Sequence, residues 1–224
     1  MDGLLIDSEI LWHQAEIEIL GDLGVPLARD ECRATKGMFV SEVTDMWFGV
    51  YPWEGPTPAE VAVTIVDRVI ALLLAQGELK PGAEGAIALC AERGLPLAVA
   101  SSSQYRLIET ALEHFGLRSH FAVVHSAEEE PHGKPHPAVF LTAASRLGVD
   151  PRRCVVWEDA PAGVIAAKAA AMACIAVPEK GEEGQAAFGL ADDVLASLLD
   201  MHEDRFVAME SSFCAPPSGA SAAR

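Results

Sequence analysis

From residue 83 onward the chain alternates segments of helical periodicity with short apolar runs, and this alternation constrains its fold more than any other feature. Each apolar run is continuous, as expected of parallel strands that helices cover on both faces. The alternation therefore predicts an α/β fold with a Rossmann-like parallel sheet. The predicted pairs of helix and strand are 83–93 with 95–100, 105–115 with 121–125, 137–147 with 154–157, and 162–171 with 174–177.

The segment from residue 9 to residue 79 has helical spacing throughout and no strand pattern. Its last predicted helix begins at Thr57-Pro58-Ala59-Glu60, which combines a capping box with proline at the first helical position. We predict that residues 9–79 form a helical domain inserted into an α/β core made of residues 1–8 and 80–200. The small, polar end of the chain predicts a disordered tail over residues 201–224.

Composition excludes several classes of function. The formal net charge of −17 argues against a nucleic-acid partner, because phosphate backbones require a basic face. No apolar run approaches the roughly 20 residues that span a bilayer, and no signal-peptide pattern is present. The five cysteines are scattered, which is typical of free thiols in a reducing compartment. We expect a cytoplasmic monomer that contacts neither nucleic acid nor membrane.

Polar residues follow two of the predicted strands, and a third polar group precedes a helix. In parallel sheets the carboxyl ends of the strands form the ligand-binding edge, so these residues are candidates for a site. Ser101, Ser102 and Ser103 follow strand 95–100, where hydroxyls and amides can face a phosphate or simply shape a turn. Lys134 lies in a proline-bracketed loop, where it is either a phosphate-binding point charge or a solvated surface residue.

Glu158 and Asp159 follow strand 154–157. Adjacent carboxylates at the end of an apolar strand suit a Mg²⁺ site, since Mg²⁺ prefers one or two carboxylates together with water and phosphate oxygens. The alternative for Asp159 is a helix cap. At the start of the chain, Asp2-Gly3 precedes apolar residues and Asp7-Ser8-Glu9, which alone indicates a turn and a helix N-terminus capped by Ser8 or Asp7.

These residues, taken in order, resemble the motifs of the haloacid dehalogenase-like (HAD) phosphohydrolases. Met1-Asp2-Gly3 is similar to the end of the first motif, Asp-x-Asp-Gly, and Ser101, Lys134 and Glu158-Asp159 match motifs two, three and four. The helical insertion stands where this family carries its C1-type cap. The resemblance is strongest to the subgroup of β-phosphoglucomutase and the sugar-phosphate phosphatases, and within it to the hexitol phosphatases. The segments that carry this last likeness are Asp7-Ser8-Glu9 with Leu11-Trp12, Tyr51-Pro52-Trp53 and Leu147-Gly148-Val149-Asp150-Pro151.

The resemblance implies a Mg²⁺-dependent phosphatase of small sugar or sugar-alcohol phosphates that works through an aspartyl-phosphate. It implies that Asp2 is the general acid/base and that its backbone carbonyl binds Mg²⁺ with Asp159, while Glu158 supports the metal shell. Ser101, the Ser102 amide and Lys134 would hold the phosphoryl oxygens. Lys36-Gly37 in the cap is a candidate substrate contact or a helix end.

In the aligned motif the nucleophilic aspartate falls one residue before Met1. We therefore expect the chain beginning at Met1 to hydrolyse phosphate esters poorly. Either the natural protein begins upstream of Met1, or the protein is a phosphosugar-binding pseudoenzyme that lacks the central strand of its sheet. A mutase is a further alternative, although Met38-Phe39-Val40 contains no arginine of the kind found in the phosphoglucomutase cap. A dehalogenase would need neither Asp2 nor Mg²⁺.

Overall fold

The computed structural model describes residues 1–33, 35 and 37–207, and it has the predicted α/β architecture. Within those residues the predicted helices and strands agree with the observed ones to within two residues at each end. The helices are α1 (Glu9–Asp22), α2 (Arg29–Arg33), α3 (Val40–Val50), α4 (Pro58–Gln76), α5 (Ala83–Glu92), α6 (Tyr105–His114), α7 (Ala138–Leu147) and α8 (Pro161–Ala169). The strands are β1 (Leu97–Ser101), β2 (Phe121–Ser126), β3 (Val155–Glu158), β4 (Ala173–Ala176) and β5 (Asp193–Val194). The two-residue β5 is too short to leave a periodic pattern and was not predicted.

The strands form two parallel sheets rather than one. β1 pairs with β2, and β3, β4 and β5 pair in that order. Between β1 and β3 lies a largely apolar cleft of about 450 Å³, lined by both strands and by Met1, Leu4 and Leu5. In the described part of the chain neither strand has a sheet partner on the side that faces this cleft. The predicted single sheet is therefore divided, because no described strand lies between its two halves to join them.

The first residues of the chain lie at the junction of the two units. The amide of Asp7 donates to the carbonyl of Glu78 at 2.9 Å, and the amide of Lys80 donates to the carbonyl of Leu5 at 2.9 Å. Ile6 is completely buried. These contacts hold the N-terminal turn against the segment that returns from the helical unit, so Asp2 and Gly3 are held at the carboxyl ends of β1 and β3.

Helices α1 to α4 form the helical unit predicted from their periodicity. The capping box of α4 is present: the Glu60 amide donates to Thr57 Oγ1 at 3.3 Å, and the Thr57 amide donates to Glu60 Oε2 at 2.8 Å. Helix α4 packs against α6 of the α/β unit, where Leu107 is fully buried. Arg106 of α6 donates to the carbonyl of Val63 at 2.9 Å, which attaches the helical unit to the rest of the molecule.

The predicted tail begins later than residue 201. Met201 and Phe206 are buried against the α/β unit, and Arg205 pairs with Asp193 at 2.9 Å. Burial of these two apolar side chains opposes disorder over residues 201–207, so the prediction is wrong for this part. Residues 208–224, including Cys214, lie outside the described residues. The four described cysteines carry free thiols, and no described helix is long and apolar enough to cross a membrane.

Candidate active site

One pocket of about 130 Å³ lies between the helical unit and the carboxyl ends of β1 and β3. All six residues selected from the sequence line it, although they come from four separate parts of the chain. The helical unit closes the other side with α1 and with residues near α2 and α3. The six residues are Asp2, Ser101, Ser102, Lys134, Glu158 and Asp159.

The carboxylate of Asp2 is oriented by three hydrogen bonds. Its Oδ1 accepts from Ser8 Oγ at 2.8 Å and from Trp12 Nε1 at 3.1 Å, and its Oδ2 accepts from Ser103 Oγ at 2.7 Å. Ser8 occupies the N-cap position of α1, but its side chain makes no capping hydrogen bond. The predicted cap is therefore only positional, because the Ser8 hydroxyl binds Asp2 instead.

The serine run after β1 forms a tightly held turn. Ser101 is buried, and its Oγ accepts a hydrogen bond from the Ser103 amide at 3.2 Å. Ser126, at the end of β2, donates from its hydroxyl to the Ser103 carbonyl at 2.6 Å. The turn-forming role and the site role thus coexist, since the same turn also presents Ser101 and Ser102 to the pocket.

Lys134 and Glu158 form an ion pair with side chains only 9% and 7% exposed. This burial excludes the alternative of a solvated surface lysine. Glu158 Oε2 also accepts from the amides of Asp159 at 3.2 Å and Ala160 at 3.3 Å. Burial raises the pKa of Glu158, but Lys134 and the amino group of Met1 more than offset this, so the net pKa lies below its usual value. Glu158 is therefore a carboxylate at neutral pH, and Met1 lies close to it.

Two glycines leave room for the acidic pair. A Cβ on Gly3 would lie 2.1 Å from Asp159 Oδ2, and a Cβ on Gly163 would lie 2.0 Å from Glu158 Cδ. Gly3 also has φ +68°, a conformation that other residues rarely adopt. Any side chain at these positions would displace a carboxylate. The N-cap of α8 is Ala160, so Asp159 is not the helix cap.

The donor set suits a magnesium ion better than a softer metal. Asp2, Glu158 and Asp159 supply only oxygen atoms, and hard oxygen ligands favour Mg²⁺. Within the described residues, no three His, Cys, Asp or Glu side chains converge closely enough to hold an ion alone. A magnesium ion here would therefore depend on backbone, water and phosphate oxygens in addition, which is its usual coordination.

Several contacts of the site were not predicted from the sequence. Ser8, Trp12 and Ser103 bind Asp2, and only the tertiary structure brings Ser103 to it. Glu9, His13 and Glu16 also line the pocket. These residues are four and three positions apart, so they lie on one face of the helix. This spacing is the sequence pattern from which they could have been predicted as site residues.

Residues of the helical unit that lie near the pocket bear on the Lys36-Gly37 prediction. Lys36 lies outside the described residues, so its predicted contact has no structural account. Gly37 lines the pocket, and a Cβ there would lie 3.7 Å from the Ala160 side chain. Phe39 packs directly on Gly133, beside Lys134, where a Cβ would lie 2.6 Å from the Phe39 ring. The helical unit thus contacts the loop that carries Lys134.

Proteins of known family are similar to this chain in sequence. A sequence model of the haloacid dehalogenase-like hydrolases matches residues 1–171. Hexitol phosphatase B of Escherichia coli K12 is 44% identical over 202 residues, covering 90% of this chain and 91% of that protein. Fructose-1-phosphate phosphatase YqaB of the same organism is 32% identical over 177 residues, covering 79% of this chain and 93% of that protein.

Solved structures give the same fold. CbbY from Rhodobacter sphaeroides, in complex with phosphate, superposes with a TM-score of 0.80 at 30% identity, covering 88% of this chain and 92% of that one. A β-phosphoglucomutase from Clostridium difficile has a TM-score of 0.82 at 21% identity, covering 95% of each chain, a likeness of fold alone. The resemblance drawn from the motifs is confirmed. The chain therefore belongs to the haloacid dehalogenase-like hydrolase family, as a phosphoric monoester hydrolase.

Proposed function

We propose that this site hydrolyses the phosphate esters of small sugars or sugar alcohols in a Mg²⁺-dependent reaction that passes through an aspartyl-phosphate. The observation that carries the proposal is the meeting, around one small pocket, of the oriented Asp2 carboxylate and the buried Lys134–Glu158 pair. The names of the two Escherichia coli relatives, a hexitol phosphatase and a fructose-1-phosphate phosphatase, support this substrate class.

In this proposal the pocket floor binds the phosphoryl group. The Ser101 hydroxyl, the Ser102 amide and the Lys134 ammonium donate to its oxygens, where negative charge must be stabilised in the transition state. Lys134 is suited to this because its position is held by Glu158. A Mg²⁺ ion, when bound by the Asp2 carbonyl and Asp159 with Glu158 in support, would neutralise charge on the phosphate.

Asp2 serves as the general acid/base. It donates a proton to the oxygen of the departing sugar and later accepts a proton from the attacking water. Its hydrogen bonds to Ser8, Trp12 and Ser103 orient the carboxyl group for both transfers. Trp12 belongs to α1 of the helical unit, so the placement of that unit also bears on the position of the acid.

The nucleophile, in the family motif, is the aspartate that precedes the residue at Met1. Met1 lines both the pocket and the cleft between β1 and β3, and its amino group lies close to Glu158. An aspartate joined to Met1 at the end of a strand in this cleft would therefore reach the pocket. Without such a residue, we expect little phosphate release.

The test compares the chain beginning at Met1 with two versions extended by a short apolar strand, one ending in aspartate and one in asparagine. We expect only the aspartate version to release phosphate from sorbitol 6-phosphate with Mg²⁺, while both extensions raise the midpoint of thermal unfolding. Asp2→Asn in the active version should abolish turnover and leave folding intact. A folded aspartate version that hydrolyses none of the hexose, hexitol or β-glucose 1-phosphate esters would disprove the proposed function.

A further inference from the structure

One face of α1, in the helical unit, forms part of the pocket wall, whereas Lys134 lies in the α/β unit. Glu9, Trp12, His13 and Glu16 all line the pocket, and their spacing places them on the same side of the helix. A ligand that places its phosphate against Lys134 therefore presents its other end to this face.

Glu16 is the most deeply buried of the acidic groups on this face, with 6% of the residue exposed. Its carboxyl group makes a hydrogen bond with the side chain of Cys32. The other oxygen, Oε2, has no hydrogen-bond partner among the described residues. A buried polar atom without a partner is destabilising, so such an atom in the wall of a pocket points to a polar group on the ligand.

The protonation states of Glu16 and Cys32 indicate which kind of polar group the ligand carries. Burial raises the pKa of Glu16 to about 7, although the hydrogen bond with Cys32 opposes the shift. Burial and the neighbouring Glu16 carboxyl raise the pKa of Cys32 to about 12, so its thiol keeps its proton. A carboxyl group that is about half protonated at pH 7 can donate as well as accept, which matches a hydroxyl group better than a second anion.

The size of the pocket limits the ligand. Its volume of about 130 Å³ corresponds to roughly ten water-sized groups at the ~10–15 Å³ that one water requires. A pocket of this size suits a small phosphate ester better than a nucleotide or flavin.

We propose that Glu16 is a specificity-determining residue whose Oε2 hydrogen-bonds a hydroxyl group of a small polyhydroxylated leaving group, at the end remote from the phosphate. This inference rests on the proposed phosphatase function, because that function sets the orientation of the ligand. Glu16 contacts the part of the substrate that departs and takes no part in the phosphoryl transfer itself.

The experiment is calorimetric titration of the full chain, with Mg²⁺, using sorbitol 6-phosphate and inorganic phosphate. We expect sorbitol 6-phosphate to bind at least tenfold more tightly than inorganic phosphate. Glu16→Leu should weaken sorbitol 6-phosphate binding tenfold or more and change phosphate binding less than twofold. Glu16→Gln should recover most of the affinity, because an amide also donates and accepts.

Glu18→Gln is the matched control. Glu18 lies on the same helix but is not a pocket residue, and its Oε2 accepts a hydrogen bond of 2.7 Å from Arg68 Nε. This variant should leave both affinities within twofold. The inference would be overturned if Glu16→Leu weakened the binding of both ligands equally or left both affinities unchanged. It would also be overturned if the parent chain bound sorbitol 6-phosphate no more tightly than inorganic phosphate. If Glu16→Leu does not fold, Glu16→Met tests the same loss of hydrogen bonding.

The two proposals fail in different ways. If the aspartate-extended chain binds sorbitol 6-phosphate through Glu16 but releases no phosphate, the proposed function fails and the role of Glu16 stands. If hydrolysis proceeds but Glu16→Leu keeps the parent's preference for sorbitol 6-phosphate over inorganic phosphate, the role of Glu16 fails and the proposed function stands.

Discussion

The buried Glu16 makes the stability of the folded chain depend on pH in a direction opposite to that of most carboxylates. Its folded-state pKa is raised from the usual 4.5 to about 7, chiefly by burial. Between these values the folded chain retains a proton that the unfolded chain has released. The stabilising contribution of this group is therefore fully present below pH 4.5 and is lost as the pH rises through 7.

The magnitude follows from the shift. A displacement of about 2.5 pKa units at 1.36 kcal/mol per unit corresponds to roughly 3 kcal/mol over the full range, of which about 2–3 kcal/mol falls between pH 5 and pH 8. Glu16→Gln removes the titrating proton and preserves the shape of the side chain. We expect the free energy of unfolding of the variant, minus that of the parent chain, to increase by about 2–3 kcal/mol from pH 5 to pH 8, because only the parent loses stability as the pH rises.

Urea denaturation followed by tryptophan fluorescence, repeated at half-unit pH steps, measures this difference. Glu18→Gln is the control, because the hydrogen bond from Arg68 lowers the pKa of Glu18. The contribution of Glu18 is present above its unfolded pKa and is lost as the pH falls, so this control should show no rise between pH 5 and pH 8. Parallel pH profiles for Glu16→Gln and the parent chain would refute the reasoning.

Two further predictions concern the acidic pair of the pocket. Glu158→Gln leaves the buried ammonium of Lys134 without its counter-charge, so urea denaturation should show that the free energy of unfolding falls by about 3–5 kcal/mol. The double variant with Lys134→Met should recover most of this loss. Equal stability of the single variant and the parent would contradict the prediction. Gly163→Ala should displace the Glu158 carboxylate and abolish Mg²⁺-dependent turnover of the aspartate-extended chain, whereas Gly85→Ala, where a Cβ would meet nothing within 4 Å, should leave turnover unchanged.

The local elements were predictable because their causes are local. The capping box at Thr57-Pro58-Ala59-Glu60 defines the start of α4 within four residues of sequence. The strands after residue 95 are continuous apolar runs, and the polar residues beyond them lie at one sheet edge because parallel strands share a direction. The placement of Ser101, Lys134 and Asp159 around one pocket follows from that topology.

The contacts that give the site its chemistry were not predictable in the same way. Ser103 reaches Asp2 across 101 residues of sequence, and the buried Lys134 pairs with Glu158, which lies 24 residues away along the chain. The raised pKa of Glu16 depends on the packing of α1, on which Glu16 lies, and on Cys32 from α2. In each case the decisive partner is distant along the chain.

The amino-acid sequence alone determined the alternation of helices and strands, the helical insertion and the identity of the residues at the strand ends, since these depend on periodicity and on short motifs. Only the tertiary structure decided that the sheet is divided at β1 and β3, that Asp2 is held by three donors and that one carboxyl group of α1 is buried in the pocket wall. These features depend on which surfaces pack together, and burial, rather than residue type, sets the protonation and hydrogen bonding of the groups involved.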